Sequence, residues 1–192
     1  MKHHRTNGPA NTTDIYATEE RKTMITEGSK THTGWDEIKR WIPSLLFLPA
    51  AIYFLSERSY TYIDYFHLIV HEAGHVLLGF FGDLVMFLGG TLMQIIVPLL
   101  LIIFFYVNYM RVLFQVSMFL LGHSFINISI YAADAKTMKL ELFGPPNVQH
   151  DWNWILRYFD VLDYAPEIAL FFTVMAVIAF ILTVLAPLYI ND

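Results

Sequence analysis

The chain has 192 residues, 56% of them hydrophobic and 15% charged, and a mean hydropathy of +0.47. A soluble domain carries roughly 25% charged residues, so this composition excludes a solvated globule, and its apolar content excludes wholesale disorder. The net charge of −5 leaves no basic footprint for nucleic acid, and the absence of cysteine excludes disulfides, thiolate nucleophiles and Cys-ligated zinc.

Residues 1–40 are rich in Lys, Glu, Thr and Asn and lack the short apolar core of a secretory leader. They read as a solvated, disordered tail, with His3, His4 and His32 in it and no metal expected there. Residues 41–192 read as an all-α membrane domain. A bilayer crossing takes roughly 20 apolar residues, and five segments qualify as spans: 41–56, 62–81, 84–107, 111–131 and 168–190. The first is short and opens on Ile42-Pro43. The third contains Gly89-Gly90 and Pro98, a place where a re-entrant element can interrupt a span. A polar loop, 132–166, separates the last two.

Seven of the 12 Lys and Arg lie in the tail, three in the 132–166 loop, and one each at Arg58 and Arg111. Five spans put the tail and that loop on one side. The excess of basic residues assigns that side to the cytoplasm. The expected location is therefore a bacterial inner or plasma membrane, crossed several times, with a cytoplasmic N-terminus.

The second span carries His71-Glu72-Ala73-Gly74-His75, an H-E-x-x-H motif. On a helix, residues four apart share one face, so both imidazoles can hold one zinc ion. Glu72 lies one position along, where its carboxylate can take a proton from a water activated by the metal. Ionisable groups inside a span are expensive, and a divalent cation compensates three of them together. His67 extends the stack by one turn and reads as a membrane-interface histidine. Catalytic zinc takes three protein ligands, and Asp134, His150, Asp151 and His123 are candidates for the third. His123, beside Ser124 and Asn127, reads as a hydrogen-bonded interior group. Asp151 reads equally as the N-cap of a helix over 152–159, with Trp152 and Trp154 as interface anchors.

An H-E-x-x-H motif within an apolar span of a small multi-span protein resembles the site-2 protease family of intramembrane zinc metalloproteases, over roughly 62–134. The resemblance implies a metalloendopeptidase that cleaves a membrane-protein substrate within the bilayer. His71 and His75 would be zinc ligands and Glu72 the general base. In that family an Asp of the third core helix, in an N-x-x-P-x-x-x-L-D-G type motif, is the third ligand. The matching stretch here is 127–135, which keeps Asn127 and Asp134 but lacks the proline and glycine and is one residue shorter. Asp134 is the ligand the resemblance implies, with Asp151 and His150 as alternatives. Gly89-Gly90-Thr91, with Gln94 and Pro98, resembles the family's glycine-containing strand-like or re-entrant segment near the metal. The chain would be a minimal or divergent member. Two other classes use such ligands. A zinc-binding membrane protein or metal transporter would use them without hydrolysis, and a di-iron desaturase would need more than the five histidines outside the tail.

Overall fold

A computed structural model describes residues 34–57, 61–142 and 148–190. The tail histidines and Arg58 lie outside these residues. The chain divides into two units, Met1–Lys39 and Arg40–Asp192. In the first, the described residues form the opening turns of a helix, with Lys39 Nζ 5.8 Å from the Trp35 ring one turn away.

Every regular element among the described residues is helical. The helices are α1 (Gly34–Ser56), α2 (Tyr62–Leu78), α3 (Asp83–Val107), α4 (Arg111–Asp134), α5 (Asp151–Tyr158) and α6 (Ala165–Leu185). Short 3₁₀ turns follow α2 and α6 and precede α6. Four stretches are long and apolar enough to cross a membrane: Glu37–Ser56 of α1, α3, α4, and Leu162–Leu188, which includes α6. The fifth expected span, α2, has 17 residues, about 25 Å at 1.5 Å per residue.

Two sequence expectations are corrected. Ile42-Pro43 does not open the first helix; α1 starts at Gly34 and carries both Pro43 and Pro49 in its interior. A proline removes one backbone hydrogen bond, which packing inside a membrane bundle can tolerate. The interruption at Gly89-Gly90 is also absent, because α3 is one unbroken helix through both glycines and Pro98. The glycines serve a different end. A Cβ built on Gly89 would lie 2.6 Å from the Gly74 carbonyl oxygen, and one on Gly74 would strike the Gly89 carbonyl. Small residues let α2 and α3 touch backbone to backbone there. The chain reverses between them at Gly82, whose φ of +103° suits glycine.

Helix α4 is the centre of the bundle. Its buried residues include Phe119, Phe125, Ile128 and Ala132, packed with Phe172, Ala176 and Phe180 of α6. Polar pins hold the helices in register. Gln115 Nε2 donates to Ser44 Oγ on α1 at 2.8 Å and to the Thr183 carbonyl on α6 at 2.9 Å, and Ser129 Oγ donates to the Ala169 carbonyl. The 132–166 stretch is not a plain polar loop: α4 runs on to Asp134, and α5 forms within it.

Candidate metal centre

Helix α2 carries the motif, and three neighbours orient it. His75 Nδ1 lies 2.7 Å from the carbonyl oxygen of Met86, in the first turn of α3. A carbonyl only accepts, so Nδ1 carries a proton and Nε2 is the nitrogen turned towards the site. His71 Nδ1 lies 3.1 Å from Gln94 Oε1, while Gln94 Nε2 donates to Asn127 Oδ1 at 2.8 Å. His71 therefore also donates from Nδ1 and turns Nε2 towards the site. Gly90 makes room for it, since a Cβ there would come within 2.5 Å of the imidazole nitrogens.

Both Nε2 atoms face one oxygen. Asp151 Oδ2 lies 2.8 Å from His71 Nε2 and 3.3 Å from His75 Nε2. With neutral imidazoles these would be three lone pairs converging with no donor among them. The arrangement demands positive charge at that point, either protons on the imidazoles or a cation. Burial opposes the charge of Asp151, but the hydrogen bonds and attraction of the two imidazoles outweigh it and hold the carboxyl below its ordinary pKa. Glu72 is exposed on the adjoining surface, and its carboxylate joins His71 and His75 in a group whose ligand atoms all lie within 4.8 Å.

Asp151 reaches this point because α5 is fastened on both flanks. Trp152 is buried edge-on to Phe172 at 5.6 Å, and Asn153 Nδ2 donates to the Ala135 carbonyl at 2.6 Å. Trp154 stacks on Phe87 at 4.2 Å. Trp152 is thus a core residue and not an interface anchor. Tyr131 completes the support: its hydroxyl accepts from Asp151 N at 3.1 Å and donates to Asp151 Oδ2 at 3.3 Å.

The other candidates lie elsewhere. Asp134 accepts hydrogen bonds from Thr137 Oγ1 and from the backbone N–H of Lys139 and Leu140, which shapes the turn leaving α4. His150 is the N-cap of α5, its Nδ1 accepting from Asn153 N at 3.2 Å. Burial pushes its pKa down, consistent with that accepting role. Its Nε2 lies 3.6 Å from Asp134 Oδ2. His67 is 1% exposed and therefore not at an interface; its Nδ1 pairs with Ser124 Oγ at 3.1 Å. His123 stacks on His67 with centroids 4.9 Å apart and meets Phe54 edge-on, so its interior role is aromatic packing.

The sequence places Gln94 in a segment that the family resemblance puts near the metal, with no individual role, and marks no role for Tyr131. A buried amide in a helix as apolar as α3 was the available signal for Gln94, whereas nothing local marks Tyr131. The site opens on a cleft of about 590 Å³. Leu68, Phe87, Ile130, Leu140 and Val148 give it an apolar wall beside Glu72. A comparison of the chain with protein-family models, curated proteins and solved structures finds no match.

Proposed function

We propose that the chain is a zinc-dependent intramembrane endopeptidase, a minimal or divergent relative of the site-2 proteases. The observation that carries this reading is the convergence of His71 Nε2, His75 Nε2 and Asp151 Oδ2 on one point. These donors fit zinc, which takes imidazole and carboxylate ligands and keeps a further position open in catalytic sites. Asp151, and not Asp134, is the third ligand on this reading, because the oxygens of Asp134 are already committed to its own turn. Bound there, zinc supplies Lewis acidity to a substrate carbonyl and acidity to water.

The chain's own residues do the rest. Met86 and Gln94 fix the two imidazoles with Nε2 outward. Glu72, exposed on the cleft, is the general base that takes the proton from the attacking water. The apolar wall of the cleft suits a transmembrane segment of another protein, locally unwound so that a peptide carbonyl reaches the site. On this reading α2 also crosses the bilayer, making five crossings in a multi-pass bacterial inner or plasma membrane protein.

The test is Glu72→Gln. Glutamine keeps the size but cannot accept the proton, so cleavage of a membrane substrate should fall by about 10²–10⁴-fold while zinc content is retained. His71→Ala and His75→Ala should lose the metal as well. Cleavage at the wild-type rate by Glu72→Gln overturns the hydrolytic reading.

A further inference from the structure

We infer that Asp64, two helical turns below the imidazoles, decides which nitrogen of His71 is free for a metal. It acts through a one-way hydrogen-bonded chain, Asp64–Asn127–Gln94–His71. The inference deepens the zinc reading above and rests on it.

Asp64 is buried at 5% exposure in the first turn of α2. Its Oδ2 accepts from Thr61 N at 2.6 Å and from Thr61 Oγ1 at 2.8 Å. Its Oδ1 accepts from Asn127 Nδ2 at 2.9 Å. With two donors on Oδ2 and Asn127 Nδ2 on Oδ1, the Asp64 carboxyl accepts at every contact, so Asn127 turns its NH₂ group towards it and its carbonyl oxygen away. That oxygen accepts from Gln94 Nε2 at 2.8 Å, which turns Gln94 Oε1 onto His71 Nδ1 at 3.1 Å. A primary amide donates at one end and accepts at the other, so each link passes the direction on. Three links from the carboxylate, His71 Nδ1 has only an acceptor to face and must carry the proton. Two imidazoles also face Asp64: His123, whose Nδ1 is 4.0 Å from Oδ1, beyond hydrogen-bond reach, and His67, one turn along α2, whose Nδ1 pairs with Ser124 Oγ.

Asp64 also caps α2, and capping alone would explain a carboxylate there. Asp64→Asn separates the two roles. Thr61 N–H, 2.6 Å away, still needs an oxygen, so Asn at 64 keeps the cap by turning its own NH₂ towards Asn127. Asn127 must then present its oxygen, Gln94 must reverse, and an NH₂ group faces His71 Nδ1. His71 becomes the Nε2–H tautomer, with a hydrogen where the ligand lone pair was. In Asp64→Asn/Asn127→Asp, which has the same charge and atoms nearly isosteric with the original, the carboxylate has moved one link along. Every bond can be made again, with Gln94 Oε1 back on His71 Nδ1. Asn127→Leu cuts the chain without touching the cap.

The experiment reads ¹⁵N shifts of His71 in metal-free protein and, separately, zinc affinity with zinc alone as the probe. His71 Nδ1 should be protonated in the wild type, bare in Asp64→Asn, partly protonated in Asn127→Leu and protonated again in the exchanged pair. Zinc affinity should fall by about 10–100-fold in Asp64→Asn, the range seen when the outer partner of a ligating histidine is lost, and recover in the exchanged pair. Full Nδ1 protonation in either Asp64→Asn or Asn127→Leu overturns the inference. A wild type that follows the tautomer pattern but takes up no zinc leaves the chain standing and removes the metal reading.

Discussion

At Asp134 both carboxylate oxygens accept hydrogen bonds from the chain that follows, whereas at Asp151 one oxygen faces two imidazole nitrogens. The two residues lie near one end of α4 and both suit a ligand by position alone. Alanine substitution distinguishes them. Asp151→Ala should abolish stoichiometric zinc binding with the fold intact. Asp134→Ala should keep its zinc and lose stability, because Thr137 Oγ1 and two backbone N–H groups lose their acceptor, at about 0.5–1.5 kcal/mol per hydrogen bond where water can replace it. Zinc per folded protein and the midpoint of thermal unfolding, measured on both variants, check the pair. Full zinc occupancy in Asp151→Ala would return the ligand question to Asp134. The H-E-x-x-H residues themselves were legible because i,i+4 spacing is a local property of a helix. The partner from α5 was not, since its placement depends on Trp152 and Asn153 finding their sites on α6 and at the end of α4.

Among the elements, the α2–α3 pair carries the closest tolerance. Gly74 and Gly89 face each other so closely that a methyl group on Gly74 meets a backbone carbonyl, which cannot move aside as a side chain can. Gly74→Ala should therefore separate the helices, weaken the His75–Met86 hydrogen bond and destabilise by about 1–3 kcal/mol, the range for overpacking a close contact. Gly79→Ala is the control. Its new Cβ would meet only the Met86 side chain, Cγ at 3.6 Å and Sδ at 3.9 Å, ordinary contact, and at its φ of −61° alanine fits without strain and gains about 0.4–1 kcal/mol by restricting the unfolded chain. Thermal unfolding of the two variants should move in opposite directions, and equal destabilisation would deny the crossing its special role. Element types followed from hydrophobic run length, which is why the limits of α3 and α4 fall close to expectation. Pro43 misled because proline marks a helix start only where water is the alternative partner for the freed carbonyl; within a membrane bundle it can lie inside. Paired glycines such as Gly89-Gly90 suggest a break, yet here the missing side chains answer to the neighbouring helix and not to the backbone's own conformation.

For the molecule as a whole, α4 supplies the test of orientation. Its 24 residues reach about 36 Å, separating the 108–110 turn from the 135–150 connection. The latter end carries Lys136 and Lys139, with Arg157 beyond on α5, against Arg111 at the other. The basic bias predicts that Lys136 is cytoplasmic and Asn108 on the opposite face. Both are exposed in the structure, and the native chain has no cysteine. Single Lys136→Cys and Asn108→Cys variants labelled in intact cells should react only from inside and only from outside, respectively. Reaction of Lys136→Cys with an impermeant reagent from outside would invert the arrangement.

The placement of Asp151 sets an order of events during synthesis. The imidazole it meets lies 80 positions earlier in the chain, so the helix bearing His71 and His75 emerges long before the carboxylate that faces them. Until α5 is made and Trp152 is seated against α6, the site has two imidazoles and no anion between them. A ribosome-bound chain ending near residue 140 should therefore hold zinc far more weakly than the finished one, and hydrolytic competence would arrive only with the last helix. On the proposed function, such a timetable would keep the half-built chain inert while it is still threading beside other nascent membrane segments.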